Sequence, residues 1–264
     1  IFASIKNLRM ESEGNSPANR DRNLTNDWFD WLNQNENSAN PFFGFLFYDA
    51  PHGFDYPDTA DAPFQPAWDT VNYLLLNQDL DPTPFFNRYL NATHYTDSLV
   101  GEVIEDLKQR NLYDNTVIIV TSDHGKEFND LKQNYWGHNS NFSRYQLQVP
   151  MVVKAPNIQA GTVHNGQTSH YDVVPTIMSE WLGCQNAFTD YSIGENLLDD
   201  ELNRSLHIAA SYIEYALIKN HQTLVIDHTG NYELLDENYK AEEKQQVPTW
   251  AFELMPWLSW FYKN

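Results

Sequence analysis

The stretch Val117-Ile118-Ile119-Val120-Thr121-Ser122-Asp123-His124-Gly125 decides the fold prediction for this chain. Its first four residues are apolar and β-branched, which is typical of a buried parallel strand. The strand ends on an Asp-His pair, and chemistry in open α/β sheets collects just beyond the carboxyl ends of strands. A carboxylate and a neutral imidazole at that edge can ligate one divalent metal ion. The alternative is an ordinary strand followed by a polar turn.

The flanking sequence predicts the alternation of helices and strands that is typical of an α/β domain. Apolar residues recur at helical spacing over residues 84–111, directly before the Asp-His strand. Near-continuous apolar runs predict two more buried strands, at residues 42–48 and 149–155. Further helices are predicted at residues 26–35 and 171–182. We therefore predict an α/β fold in which helices flank a mostly parallel sheet.

The C-terminal part of the chain has a different pattern. Short strand-like segments, separated by turn residues, lie at residues 206–212, 216–219, 223–227 and 232–235. An aromatic, helix-like tail follows them. We therefore predict two parts: an α/β domain over residues 1–202, and a small antiparallel subdomain with the tail over residues 203–264.

Composition and charge limit the classes of partner. The chain has 264 residues, of which 41% are hydrophobic, so it can form a substantial core. Its net charge of −20 argues against nucleic acid as a partner, because phosphate binding needs basic patches. An acidic protein that binds anionic esters needs a cation in its site, and the Asp-His pair could hold one. Because the chain begins at Ile1 rather than Met, we expect it to be a piece of a longer protein.

Two further histidines lie at the end of a predicted strand or in the loop beyond it. His52 belongs to Pro51-His52-Gly53, and His138 belongs to Trp136-Gly137-His138-Asn139. A phosphoryl- or sulfuryl-transfer site needs a metal to polarise the ester, a nucleophile, and donors around the developing negative charge. Neutral imidazoles can ligate the metal and protonated ones can donate to an anion. His52, His138 and the Asp123-His124 pair are therefore the candidate site residues.

Four motifs in a fixed order carry a family resemblance. They are Ala50-Pro51-His52, preceded by Pro41-Phe42-Phe43, then the Asp-His motif, then Val149-Pro150-Met151, and finally Asp172-Val173-Val174-Pro175-Thr176. In this order they resemble the sulfatase-like branch of the alkaline phosphatase superfamily, over roughly residues 40 to 183. The Asn26-Asp27-Trp28 helix and the run from Phe45 to Gly53 are more narrowly similar to the YejM (PbgA) group of inner-membrane proteins, which have a sulfatase-like periplasmic domain.

The resemblance implies a role for each candidate residue. Asp123 and His124 match metal ligands for a divalent ion such as Zn, Mn or Mg. His52 matches a histidine that contacts the anionic group of the substrate, and His138 matches one that contacts the transferred group. In the family, a first metal-binding acid and the nucleophile lie upstream of these motifs, and nothing in residues 1–40 resembles either one. We therefore expect a hydrolase- or transferase-like domain that is inactive as this fragment.

The resemblance leaves a second function open. In the YejM group it implies a non-catalytic periplasmic domain that senses an anionic lipid, cardiolipin or lipopolysaccharide. Either function would place this chain in the periplasm, anchored to the inner membrane by a transmembrane region that precedes it. The sequence leaves open the substrate, the identity of the metal and the oligomeric state.

Overall fold

The computed structural model describes residues 12–258, apart from residues 37, 39, 140 and 157 and the side chain of residue 255. The chain divides into two compact units. The first unit contains the described part of Ile1–Val120 together with Lys132–Asn134 and Val152–Ile158. The second contains Thr121–Leu131, Tyr135–Met151 and the described part of Gln159–Asn264.

The described helices and strands follow one another in a mixed order. The α-helices are α1 Pro17–Gln34, α2 Ala50–Gly53, α3 Thr83–Gln109, α4 Arg144–Leu147, α5 Val173–Thr176 and α6 Ala251–Leu258. The strands are β1 Ile118–Thr121, β2 Glu127–Phe128, β3 Trp136–Gly137, β4 Met151–Lys154, β5 Leu206–Ala210, β6 Glu214–Lys219, β7 Gln222–Asp227 and β8 Tyr232–Leu235. Short 3₁₀ helices cover Tyr73–Leu75, Tyr113–Asn115, His170–Asp172 and Phe188–Asp190, and a π-helix covers Ile177–Trp181.

Helices α1 and α3 are the two long helices of the first unit. Helix α3 confirms the helix predicted at residues 84–111. Helix α1 begins earlier than predicted, because the Ser16 side chain accepts a hydrogen bond from the Asn19 backbone N–H and Pro17 opens the first turn. Ala18 of α1 packs with Tyr95 and Leu99 of α3 in a buried cluster that fixes the two helices together.

Strands β1 and β4 pair with each other in a two-stranded sheet. They confirm the positions of the strands predicted before the Asp-His pair and at residues 149–155. The predicted burial of these strands is wrong for the described chain, since Val120 is 38% and Val152 63% exposed. The Lys154 ammonium lies 4.2 Å from the ring centroid of Tyr113 and donates to the backbone oxygen of Thr116 at 3.1 Å. These contacts join β4 to the turn that leads into β1.

The prediction of a buried strand at residues 42–48 is wrong for the described chain. This segment is not a strand, and Phe43, Phe45 and Phe47 are 85%, 72% and 58% exposed. Within the part of the chain that the structure describes, no backbone group between residues 41 and 48 bonds to another backbone group. An apolar run becomes a strand only where a neighbouring strand satisfies its N–H and C=O groups, and here no described strand lies beside it.

The four-stranded antiparallel sheet β5-β6-β7-β8 dominates the second unit and confirms the predicted antiparallel subdomain. Leu217 pairs with Leu224 across β6 and β7, and Leu224 pairs with Leu234 across β7 and β8. These leucines form a buried cluster with Ala251 and Leu254 of α6. The rest of the predicted C-terminal tail, beyond residue 258, lies outside the described residues.

Candidate active site

The turn after β1 is fixed by its own polar groups. The Ser122 hydroxyl donates to the backbone oxygen of His124 at 2.8 Å. The His124 backbone N–H donates to Asp123 Oδ1 at 3.0 Å. The Asp123 side chain is 59% exposed and that of His124 is 34% exposed, so both can be reached from solvent.

The imidazole of His124 is oriented as a metal ligand would be. Its Nδ1 lies 2.9 Å from the backbone oxygen of Gly125 and donates to it in the tautomer that carries the proton on Nδ1. That tautomer leaves the lone pair of Nε2 available, which is the arrangement found in most metal-ligating histidines. Nε2 lies 3.7 Å from Asp123 Oδ2.

Asp123 Oδ2 and His124 Nε2 can both bind one cation, but two ligands do not complete its coordination shell. Bonds of about 2.0–2.2 Å to each ligand span up to roughly 4.2 Å, so atoms 3.7 Å apart can both reach one ion. A zinc site in a protein has at least three protein ligands. Within the residues that the structure describes, no group of three His, Cys, Asp or Glu side chains could hold a metal ion. The pair therefore fits a divalent metal as part of a coordination shell.

Gly125 is required by close packing rather than by an unusual backbone angle. Its N–H donates to the backbone oxygen of Gln146 at 2.9 Å. A Cβ atom at this position would lie 2.3 Å from the backbone oxygen of Tyr145, well inside any ordinary contact. The Asp-His turn is therefore pressed directly against the backbone of residues 145–146.

The β2-β3 hairpin brings His138 to the Asp-His turn. Phe128 pairs with Trp136 and Glu127 pairs with Gly137, so the chain returns towards the turn along β3. The His138 ring then stacks on the His124 ring, with centroids 4.2 Å apart and planes 17° apart. The structure thus gathers three of the candidate residues, Asp123, His124 and His138, within the second unit.

His52 belongs to the first unit, on the short helix α2. Its side chain is 60% exposed, and its Nδ1 lies 3.6 Å from Asp49 Oδ1. The buried carboxylate of Asp21 fixes this helix by accepting hydrogen bonds from the Asp49 and Ala50 backbone N–H groups at 2.8 and 2.7 Å. Burial raises the pKa of Asp21 to about 6, although those two donors oppose the shift.

Sequence reasoning assigns no site role to two residues around the turn, Glu127 and His170. Glu127 is fully buried and accepts hydrogen bonds from the loop that follows His138. His170 places its Nε2 3.5 Å from the Thr121 hydroxyl, next to the Asp-His turn. A two-residue strand has no hydrophobic period, so nothing in the sequence marks Glu127 as buried. The position of His170 follows from contacts distant in sequence, which no local pattern records.

Comparison with known proteins decides the family. The sulfatase family model matches residues 5–183, which is more than half of the chain. The chain belongs to the sulfatase family. It is 24% identical over 228 residues to the inner membrane protein YejM of Salmonella typhimurium, covering 85% of this chain and 34% of that protein. It is 27% identical over 203 residues to arylsulfatase K of Mus musculus, covering 61% of this chain and 35% of that enzyme.

A solved structure supports the fold. A protein of the alkaline phosphatase superfamily from Vibrio parahaemolyticus matches 91% of this chain and 54% of its own with a TM-score of 0.59, at 18% identity. The predicted α/β fold of the alkaline phosphatase type is thus confirmed. The chain spans about a third of the length of the two curated relatives named above. Among the described residues, no helix combines the length and apolar character that crossing a membrane requires.

Proposed function

We propose that this sulfatase-family chain contributes part of a divalent-metal site that binds the anionic group of a sulfate or phosphate ester. One observation carries the proposal: Asp123 Oδ2 and His124 Nε2 lie within reach of one cation, and the His138 ring stacks beside them. The backbone oxygen of Gly125 supports it, because it engages Nδ1 of His124 and so leaves Nε2 for the metal.

Each residue of the site has a proposed task. Asp123 and His124 hold the ion, which when bound acts as a Lewis acid on an ester oxygen. His138 lies beside the proposed ligand His124, and it donates a hydrogen bond to the transferred group when it is protonated. For His52, which belongs to the first unit, contact with the anionic group of a substrate stays a separate prediction. The net charge of −20 makes the cation necessary, since an anionic ester would otherwise be repelled.

We further propose that this chain does not turn over by itself. Two protein ligands are fewer than a catalytic zinc site uses, and no described group of three acidic, histidine or cysteine side chains supplies the remainder. The relatives are about three times as long as the matched part. The remaining ligands and a nucleophile would belong to the rest of such a protein.

Metal titration tests the proposed site. We expect calorimetry to show Mn²⁺ or Zn²⁺ binding by the chain, and Asp123→Ala to weaken it at least tenfold. Asp97→Ala, which removes an exposed carboxylate from α3, is the matched control and should leave the affinity unchanged. Equal affinity for Asp123→Ala and the unsubstituted chain would refute the site. With 4-nitrophenyl sulfate and 4-nitrophenyl phosphate we expect no turnover, and hydrolysis that Asp123→Ala abolishes would refute the inactivity.

A second candidate function is a non-catalytic domain of the bacterial envelope that binds an anionic lipid. The extent of the YejM match favours it, because that match covers 85% of the chain whereas the sulfatase model ends at residue 183. YejM is an inner membrane protein, and by analogy this chain would be periplasmic. Co-sedimentation with phosphatidylcholine vesicles, with and without cardiolipin or lipopolysaccharide, tests it. Binding that needs the anionic lipid and survives Asp123→Ala would support this candidate over the first.

A further inference from the structure

We propose that Glu127 is a positioning residue that holds His138 against the Asp123-His124 turn, an inference that rests on the proposed function of that turn. Glu127 lies on β2, and its side chain is fully buried. A carboxylate removed from water is stable only where hydrogen-bond donors replace the lost solvent. The residues that donate hydrogen bonds to Glu127 therefore show which part of the chain this carboxylate holds in place.

Every described donor to the Glu127 carboxylate lies in the segment that follows His138. They reach Oε2 from Asn141 Nδ2 at 2.8 Å, Ser143 Oγ at 3.1 Å and Gln146 Nε2 at 3.0 Å. The other oxygen, Oε1, is also buried, and it accepts no hydrogen bond from any residue that the structure describes. Among the described residues, the carboxylate thus binds side chains of this loop.

The backbone of Glu127 holds the loop from the other side of His138. Glu127 pairs with Gly137 in the β2-β3 register, directly before His138. Gly137 has a φ of +89°, a left-handed value that favours glycine and turns the chain sharply at this point. His138 is therefore held between a backbone contact to Glu127 before it and side-chain contacts to Glu127 after it.

Gln146 links the same loop to the metal-ligating turn. Its side chain donates to Glu127, and its backbone oxygen accepts from the Gly125 N–H at 2.9 Å. Phe142 anchors the middle of the loop, because its N–H donates to the Tyr239 hydroxyl at 2.9 Å and its ring is buried against the antiparallel sheet. Removing the Glu127 carboxylate would free the loop on the side of His138 while leaving the Phe142 anchor intact.

The test follows the stacked rings directly by NMR. The nuclear Overhauser effect between the His124 and His138 ring protons, assigned with the His138→Asn variant, reports their contact. We expect Glu127→Ala to abolish it. We expect Glu127→Gln to weaken it, since an amide oxygen accepts from the same donors less strongly. Asp227→Asn is the matched control: it alters a carboxylate that accepts hydrogen bonds from Thr229 and Asn231 in the β7-β8 turn, and should leave the ring contact unchanged.

Each outcome decides the proposal. Full ring contact in Glu127→Ala would mean that Glu127 contributes only to stability, which overturns the positioning role. If Glu127→Ala does not fold, Glu127→Gln and Ser143→Ala decide, and an unchanged contact in both overturns the role.

Mn²⁺ titration of the same variants separates this proposal from the proposed function. We expect Glu127→Ala to weaken binding about tenfold, because the loop that Glu127 holds also supports, through Gln146 and Gly125, the turn that carries His124. A chain that binds no metal, yet loses the ring contact in Glu127→Ala, would refute the proposed function while the positioning role stands.

Discussion

The substitution Gly125→Ala tests how closely the Asp-His turn is packed. The added methyl group would lie 2.3 Å from the backbone oxygen of Tyr145 and 3.2 Å from that of Gln148. The first distance is about 1 Å inside an ordinary van der Waals contact. Both neighbours are backbone atoms, so no side-chain rotation relieves the clash. Either the turn or the backbone of residues 145–148 must move, which breaks the hydrogen bond from Gly125 to Gln146.

The magnitude follows from three contributions to the free energy of unfolding. Overpacking costs about 1–3 kcal/mol. Loss of one backbone hydrogen bond costs about 0.5–1.5 kcal/mol. The lower entropy of the unfolded chain with alanine returns about 0.4–1 kcal/mol. We therefore expect a net destabilisation of about 2 kcal/mol.

Urea unfolding and hydrogen exchange measure the effect. We expect a lower urea midpoint for Gly125→Ala, together with faster amide exchange at residues 121–148. Gly101→Ala is the matched control, because it makes the same chemical change in α3, where no described heavy atom beyond the neighbouring residues and backbone of that helix lies within 4 Å of the added methyl group. That control should gain about 0.5–1 kcal/mol. If Gly125→Ala were as stable as Gly101→Ala, the packing argument for the turn would be wrong.

Three further predictions concern other parts of the chain. Because burial raises the pKa of Asp21 to about 6, above its unfolded value of about 3.8, folding favours the protonated form. Stability should fall by up to about 3 kcal/mol as the pH rises from 4 to above 6, and urea midpoints should lose this slope in Asp21→Asn. Arg204→Met leaves the fully buried carboxylate of Asp172 without its cation and should cost about 3–5 kcal/mol in urea unfolding; a cost below 1 kcal/mol would contradict this. Replacing the exposed Phe43 and Phe45 by Ser should change stability by less than about 0.5 kcal/mol while reducing light scattering and dye binding, and unchanged scattering would count against the exposed surface.

Regular elements with strong periodicity could be predicted from the sequence. Helix α3, strands β1 and β4, and the hairpin strands β5 to β8 all follow local patterns of apolar residues. The strand predicted at residues 42–48 fails because its apolar run specifies burial but cannot supply the neighbouring strand that burial needs. The N-terminus of α1 could have been predicted from the sequence, because Ser16 followed by Pro17 is a typical helix start.

The candidate site could be predicted only in part. The sequence places Asp123 and His124 at the end of a strand and His138 in the next loop. The structure brings the three side chains close together, and their roles stay predictions. The need for glycine at position 125 arises from the backbone of residues 145–148, which lies about 20 residues away in sequence and leaves no local signal. Glu127 was missed for the same reason, because its donors lie in a loop whose course no periodicity describes.

The contacts that hold this loop have a consequence for which sequence changes the fold tolerates. Gly125 binds the main chain at Gln146, and β3 fixes the chain just ahead of His138. The segment between Gly137 and Gln146 is therefore attached at both ends, and its number of residues is fixed by the distance between the two attachments. Exchanging an exposed side chain such as that of Arg144 leaves the span intact. Inserting or deleting a single residue there would shift the His138 ring away from the His124 ring. Natural variants should therefore differ at exposed positions of this segment but not in its length.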